Sequence, residues 1–221
     1  MSLSKPASDA IEALTPSQVD FLKALPKAEL HAHLNGSIPL PVLQSLAKEY
    51  IPSDGGLDPT PLNIQAGIEE LQNGVVLNVI YDFFKLFPAI YALTSTKEAL
   101  SKATAAVLAD FLEPKDGEEY PQATYLELRS TPRKTISMTR LEYVETVLNE
   151  VEKYRPDQAA FILSLDRRMS KEEVEECTEI AIALKNKGKR VVGVDLCGDP
   201  AVSSLGAYGG NKCSFIPRRA M

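Results

Sequence analysis

A chain of 221 residues that is 44% hydrophobic and 24% charged has enough apolar surface for one domain with a core of its own. Its net charge of −6 argues against broad binding to a nucleic-acid backbone, yet leaves room for one small anion held by a few local cations. Its three cysteines (Cys177, Cys197 and Cys213) are odd in number and form no CxxC pair, which argues against a disulfide framework or a thiolate zinc site.

The first twenty residues carry Asp9, Glu12 and Asp20 and lack the apolar core of a secretion signal. No apolar run approaches the length of a membrane span, so a cytoplasmic chain without membrane or nucleic-acid partners is expected. Residues 1–14 are polar and expected to be flexible. Thr15-Pro16-Ser17-Gln18 predicts a helix start, with a capping threonine, proline at the first helical position and glutamine at the third. That helix should end near Pro26.

Residues 27–34, KAELHAHL, alternate in type and predict a strand. Glu29, His31 and His33 would share one face and Ala28, Leu30, Ala32 and Leu34 the other, with the strand ending at Asn35-Gly36. Pro39 and Pro41 open a helix over residues 40–50, and the segment 51–66, rich in Pro, Gly and Asp, reads as a loop. Residues 67–113 turn helical in at least two pieces. Ser95 with Glu98 forms a capping box there, followed by an apolar stripe of Leu100, Thr104, Val107, Leu108 and Phe111.

After residues 113–122 the pattern becomes regular. ATYLELRST (123–131), AAFILSLDR (159–167) and VVGVDLCGD (191–199) read as strands. Between them lie two helices capped by Thr139 with Glu142 and by Ser170 with Glu173, striped respectively by Leu141, Val144, Leu148 and Val151 and by Val174, Cys177, Ala181 and Leu184. Strands apolar on both faces and alternating with amphipathic helices imply a parallel sheet covered by helices. With the first strand this makes four β/α units, the last without its helix, whereas a closed (β/α)8 barrel needs eight. The segment 203–221, SSLGAYGGNKCSFIPRRAM, has no period and is expected to be an irregular tail, open to being non-native sequence. The expected organisation is a flexible 1–14, a barrel part over 15–202 with a helical insertion at 67–113, and the tail.

The chain has two histidines, His31 and His33, at i and i+2 on a strand. Such a pair can hold one cation, imidazole being a good zinc ligand at neutral pH, or it can simply be polar residues at a strand end. Ser130-Thr131-Pro132-Arg133 offers two hydroxyls and a guanidinium suited to an anionic oxygen cluster, or a strand end with a solvated arginine. Asp166 reads equally as a pocket residue or as the partner of a neighbouring arginine, and Gly198 as a turn glycine. The aromatics Tyr81, Phe83, Phe84 and Phe87 fit core packing better than a base-stacking surface.

Four segments in order, LPKAELHAHLNGSI, YLELRSTPR, Asp166-Arg167-Arg168 and VVGVDLCGDP, resemble the adenosine deaminase family of the metallo-dependent hydrolases over residues 25–202. HAHLNGS in particular resembles the adenosine-deaminase-like branch, whose members remove N6 substituents from purine nucleoside monophosphates. The resemblance implies a (β/α)8 TIM-type barrel, one Zn2+ per complete site, and a nucleotide such as N6-methyl-AMP converted to IMP plus amine.

By the same resemblance His31 and His33 would be metal ligands, with His33 also beside the substrate. Asn35, Tyr91, Ser130, Thr131, Pro132, Arg133, Asp166 and Gly198 would line the substrate site. Nucleoside deaminases usually carry aspartate where Asn35 stands, and a neutral amide removes repulsion towards a phosphate. Tyr91 departs from the histidine common at its position. The family's third metal histidine, its catalytic glutamate in HAGE, a further histidine and an Asp-Asp pair have no counterpart in these residues, so no catalytic residue is assigned and the chain alone is expected to be inactive. Complete members are expected to be monomeric, whereas an open half-barrel is expected to self-associate. The alternatives are an adenosine deaminase acting on the free nucleoside, and a non-catalytic nucleotide-binding or non-functional truncated isoform.

Overall fold

The computed structural model describes residues 5–50, 62–75 and 80–198. The expected tail at 203–221 and most of the expected loop at 51–66 lie outside them. In chain order the elements are α1 (Lys5–Glu12), α2 (Pro16–Ala24), β1 (Ala28–His33), a single 3-10 turn (Leu34–Gly36), α3 (Leu40–Glu49), α4 (Leu62–Asn73), α5 (Ile80–Lys85), α6 (Phe87–Leu93) and α7 (Lys97–Leu112). There follow β2 (Tyr125–Ser130), α8 (Arg140–Val151), β3 (Ala159–Asp166), α9 (Lys171–Asn186) and β4 (Val191–Cys197).

Local chemistry sets most of these boundaries. Capping boxes start α2 (Thr15 with Gln18), α8 (Thr139 with Glu142) and α9 (Ser170 with Glu173), as the sequence predicts. Each cap satisfies amide hydrogens that the helix itself leaves unpaired, at about 1 kcal/mol apiece. For α7 the cap is Thr96, which accepts from the Ala99 amide, rather than Ser95. The two neighbouring hydroxyl residues make the boundary ambiguous in sequence by one position. Helix α4 begins at Leu62, inside the stretch expected to be loop.

All strand pairs are parallel and the order is β1-β2-β3-β4. A sequential order without reversal belongs to a singly wound barrel wall, not to a doubly wound sheet. Residues paired in register share a face. Leu126, Leu128 and Ser130 of β2 therefore lie with Ala159, Phe161 and Leu163 of β3, and all six are buried. Val144, Val147 and Leu148 of α8 and Leu100, Val107 and Leu108 of α7 join the same core. Each fully buried leucine contributes about 1.5–3 kcal/mol. Helices α4 and α6 approach so closely that a Cβ at Gly67 would lie 2.8 Å from Ala89 Cβ. The opposite face carries Arg129, Ile162, Ser164, Asp166, Gly193, Asp195 and Cys197, so it is the polar wall.

Strand β1 departs from simple alternation. Its register against β2 slips between Glu29 and Ala32, after which His33 pairs with Arg129. The extra residue of a bulge re-aims the side chains around it. Leu30, expected to share a face with Ala32 and Leu34, is accordingly 51% exposed while those two are buried.

Candidate active site

The C-terminal ends of the four strands bring His33, Ser130, Asp166 and Cys197 to one rim, where barrel enzymes place their chemistry. The His31 and His33 rings face each other with centroids 5.2 Å apart and a 53° tilt. A Glu29 carboxylate oxygen accepts from the His31 amide at 2.7 Å. Arg129 reaches the Leu30 carbonyl and forms an ion pair with Asp195. The bulge is thus held from both sides. Burial lowers the His33 pKa below the ordinary imidazole value, the charges of His31 and Arg129 act in the same direction, and Asp195 opposes them. A neutral ring with an available lone pair results near neutral pH. Among the described residues no group of three or more His, Cys, Asp or Glu could hold a metal ion. The two imidazoles therefore fit as two zinc donors but fall short of the three protein ligands that a catalytic site takes.

Beside the pair lies a buried polar chain. Tyr143, fully buried on α8, sits 2.7 Å from Ser130 Oγ and donates to Asn35 Oδ1 at 3.4 Å. Asn35 Nδ2 donates to Thr94 Oγ1 at 3.3 Å, and Thr94 donates to the Ile90 carbonyl at 2.8 Å. Arg133 joins the same hydroxyl through Nη2 at 2.9 Å and reaches the Tyr91 carbonyl through Nη1 at 3.2 Å. Its guanidinium lies 4.0 Å over the Tyr91 ring centroid and 5.7 Å from that of Tyr143. Burial pushes the Tyr91 phenol pKa up, with Arg133 working against the rise. Tyr91 also packs edge-on against Phe87, which with Phe83 and Phe84 forms an aromatic cluster.

Of the residues singled out in the sequence, Asn35, Tyr91, Ser130 and Arg133 are joined in this one web. Ser130 lies on the helix-covered side, where its hydroxyl is taken by Tyr143. Thr131 turns the other way and lies 3.3 Å from Cys197 Sγ. Asp166 is gripped by Arg168 through its amide at 2.8 Å, Nε at 2.9 Å and Nη2 at 2.7 Å, and the Arg168 hydrogen bond is the main reason its carboxyl titrates below the usual range. Gly198 has φ +95°, and a Cβ there would lie 3.0 Å from Asp166 Oδ1. Sequence reading missed Thr94 and Tyr143. Tyr143 lies within α8 and Thr94 caps the end of α6, and only their distant partners mark them.

No family model matches the chain. It is 32% identical over 203 residues to the N6-methyl-AMP deaminase of Mus musculus, covering 87% of this chain and 51% of that one. The apo N6-methyl-AMP deaminase of Arabidopsis thaliana superposes with a TM-score of 0.64 at 29% identity, covering 85% of this chain and 53% of that chain. Over most of its length the chain is homologous to proteins named N6-methyl-AMP deaminase and adenosine deaminase-like protein. An Arabidopsis ADAL structure complexed with IMP matches equally well, with a TM-score of 0.64 and 29% identity over 86% of this chain and 54% of that chain. An amidohydrolase from Burkholderia ambifaria with bound Zn shares the fold, with a TM-score of 0.58 at 18% identity over 85% of this chain and 48% of that one. The homologue described here spans about half the length of the curated relatives it matches. Its four parallel strands with their covering helices thus correspond to part of the TIM-type barrel of those relatives. Among its described residues no helix is long and apolar enough to cross a membrane.

Proposed function

We propose that these residues form the nucleotide-facing part of a site for hydrolytic deamination of purine nucleoside monophosphates, N6-methyl-AMP or a related N6-substituted AMP giving IMP plus amine. The observation that carries this reading is the pairing of a neutral Asn35 amide with an Arg133 guanidinium that has no ion-pair partner among the described residues. Arg133 Nε is also buried without a hydrogen-bond partner there. A cation left uncompensated beside a neutral donor–acceptor suits a phosphate, because charge-assisted hydrogen bonds from arginine to anionic oxygen are among the strong ones. The related ADAL chain complexed with IMP is consistent with a nucleotide at this rim.

Within this reading His31 and His33 supply two ligands of a single Zn2+ in a complete site, and His33 also borders the base. Zinc, when held by a full ligand set, makes a nucleophile from water near neutral pH. The chain's own part is to bind and orient. Thr131, Pro132 and Arg133 face the phosphate, Asp166 and Gly198 border the purine, and Tyr91 backs the guanidinium. With only two histidines in 221 residues and no Asp-Asp pair, this polypeptide by itself turns over no substrate.

The test is to titrate the purified chain with AMP and adenosine, and to assay amine release from N6-methyl-AMP with added zinc. Micromolar binding of AMP in preference to adenosine, without turnover, is expected. Preference for adenosine would instead favour the free-nucleoside reading, and turnover would refute the inactivity. A non-catalytic nucleotide-binding chain is the second reading, favoured by the two-donor metal set. Both sheet edges are uncovered among the described residues, and Leu30, Val194 and Leu196 are 51%, 43% and 40% exposed, which supports self-association of the isolated chain.

A further inference from the structure

We infer that Thr94 is the positioning residue for the anionic end of the substrate site, a role that rests on the nucleotide reading above and deepens it. Thr94 caps the C-terminus of α6, is fully buried, and so touches no ligand itself. Its hydroxyl accepts from Asn35 Nδ2 and Arg133 Nη2 and donates to the Ile90 carbonyl, which uses the whole capacity of one hydroxyl. The donation to Ile90 fixes the proton, and with it the directions left for the two incoming donors.

The consequence is geometric. Asn35 sits in the 3-10 turn after β1 and Arg133 in the segment after β2, so nothing in the sheet hydrogen bonding fixes one side chain relative to the other. Thr94 does so from a third element. With Nη2 on Thr94, Nη1 on the Tyr91 carbonyl and the guanidinium plane over the Tyr91 ring, the fork has one orientation. Asn35 is held in one amide flip, Oδ1 to Tyr143 and Nδ2 to Thr94. Each keeps bonding capacity for a ligand: the second Nδ2 hydrogen, the second Oδ1 lone pair and the remaining guanidinium hydrogens.

Replacing Thr94 by valine keeps the shape and removes the oxygen, leaving Asn35 and Arg133 without their shared acceptor. In the 221-residue chain, Thr94→Val is expected to weaken AMP binding ~10-fold or more, the scale of a lost hydrogen bond to a charged group. Adenosine binding should stay unchanged, and Thr94→Ser, which restores the hydroxyl, should bind AMP within about threefold of the parent. A Thr94→Val chain that binds AMP like the parent, or a Thr94→Ser chain that loses as much as the valine variant, overturns the role. Failure of the unsubstituted chain to bind AMP would sink the nucleotide reading instead. The positioning role is then decided by a crystal structure of Thr94→Val: Arg133 displaced from the Tyr91 ring supports it, and Arg133 and Asn35 unmoved overturn it.

Discussion

Tyr143→Phe isolates the buried polar chain from the packing around it. The ring is fully buried and phenylalanine refills its volume, so the change removes one hydroxyl and opens no cavity. Two groups lose a partner: Ser130 Oγ at 2.7 Å, 3% exposed, and Asn35 Oδ1 at 3.4 Å, 8% exposed. The first contact is short and contributes about 1–1.5 kcal/mol, and the second is long and contributes less. Together with the cost of leaving two buried polar atoms unpaired, the expected destabilisation is about 2 kcal/mol.

Far-UV circular dichroism during urea unfolding is the suitable probe, because the chain has no tryptophan and the substitution itself alters tyrosine emission. With a slope of about 2 kcal/mol/M the midpoint should fall by roughly 1 M, with the slope unchanged. Ser130→Ala completes a double-mutant cycle, in which a coupling of about 1 kcal/mol is expected. A loss below about 0.5 kcal/mol, or strictly additive single effects, would refute the idea that this hydroxyl joins the strand rim to the helix layer.

Four further outcomes are expected. Gly198→Ala forces φ +95° on a residue with a Cβ and drives that atom against Asp166, so a loss of about 1–2 kcal/mol should appear in the same urea experiment; an unchanged midpoint would remove the steric argument. Because Arg168 lowers the Asp166 carboxyl in the folded chain, its contribution is fully present above the unfolded pKa of about 4 and is lost as pH falls through the folded value. Asp166→Asn should therefore flatten stability against pH below about 4, and an identical acid limb in both chains would count against the pair. Zinc should bind weakly in competition with a chromophoric chelator and not at all after His33→Ala; unaltered binding in that variant would exclude the histidine pair as its ligands. Asn35→Asp should weaken AMP binding by placing a carboxylate beside Arg133, and calorimetry showing equal or tighter AMP binding would contradict the proposed charge logic.

Much of the fold was legible because its signals are local. The capping boxes of α2, α8 and α9 and the apolar β2 and β3 each advertise an element within a dozen residues, and alternation of strands with helices implied the parallel sheet. Signals failed where the deciding contact is remote. The slip in β1 goes with a contact from Arg129 to the Leu30 carbonyl across 99 positions, which no two-residue period can disclose. Helix α4 started earlier than its Pro- and Gly-rich approach implied, being held by packing on α3 and α6. Asp166, at the end of β3, met its reading as the partner of a neighbouring arginine, Arg168. Thr94 was invisible, its hydroxyl joining Asn35 59 positions before it and Arg133 39 positions after it.

The amide at position 35 answers two demands that a carboxylate could meet only in part. The hydrogen bonds run in one direction, from Tyr143 into Asn35 Oδ1 and from Asn35 Nδ2 into Thr94 Oγ1, and on to the Ile90 carbonyl. Position 35 must therefore accept on one side and donate on the other. An ionised aspartate only accepts, so it would set two acceptors against each other at Thr94, whose single proton is already committed. It would also bring a negative charge to the web that holds Arg133, where the nearest relief is that same guanidinium. Hydrogen-bond direction and charge thus select the same residue. Asn35 keeps the web satisfied without adding a negative charge beside Arg133.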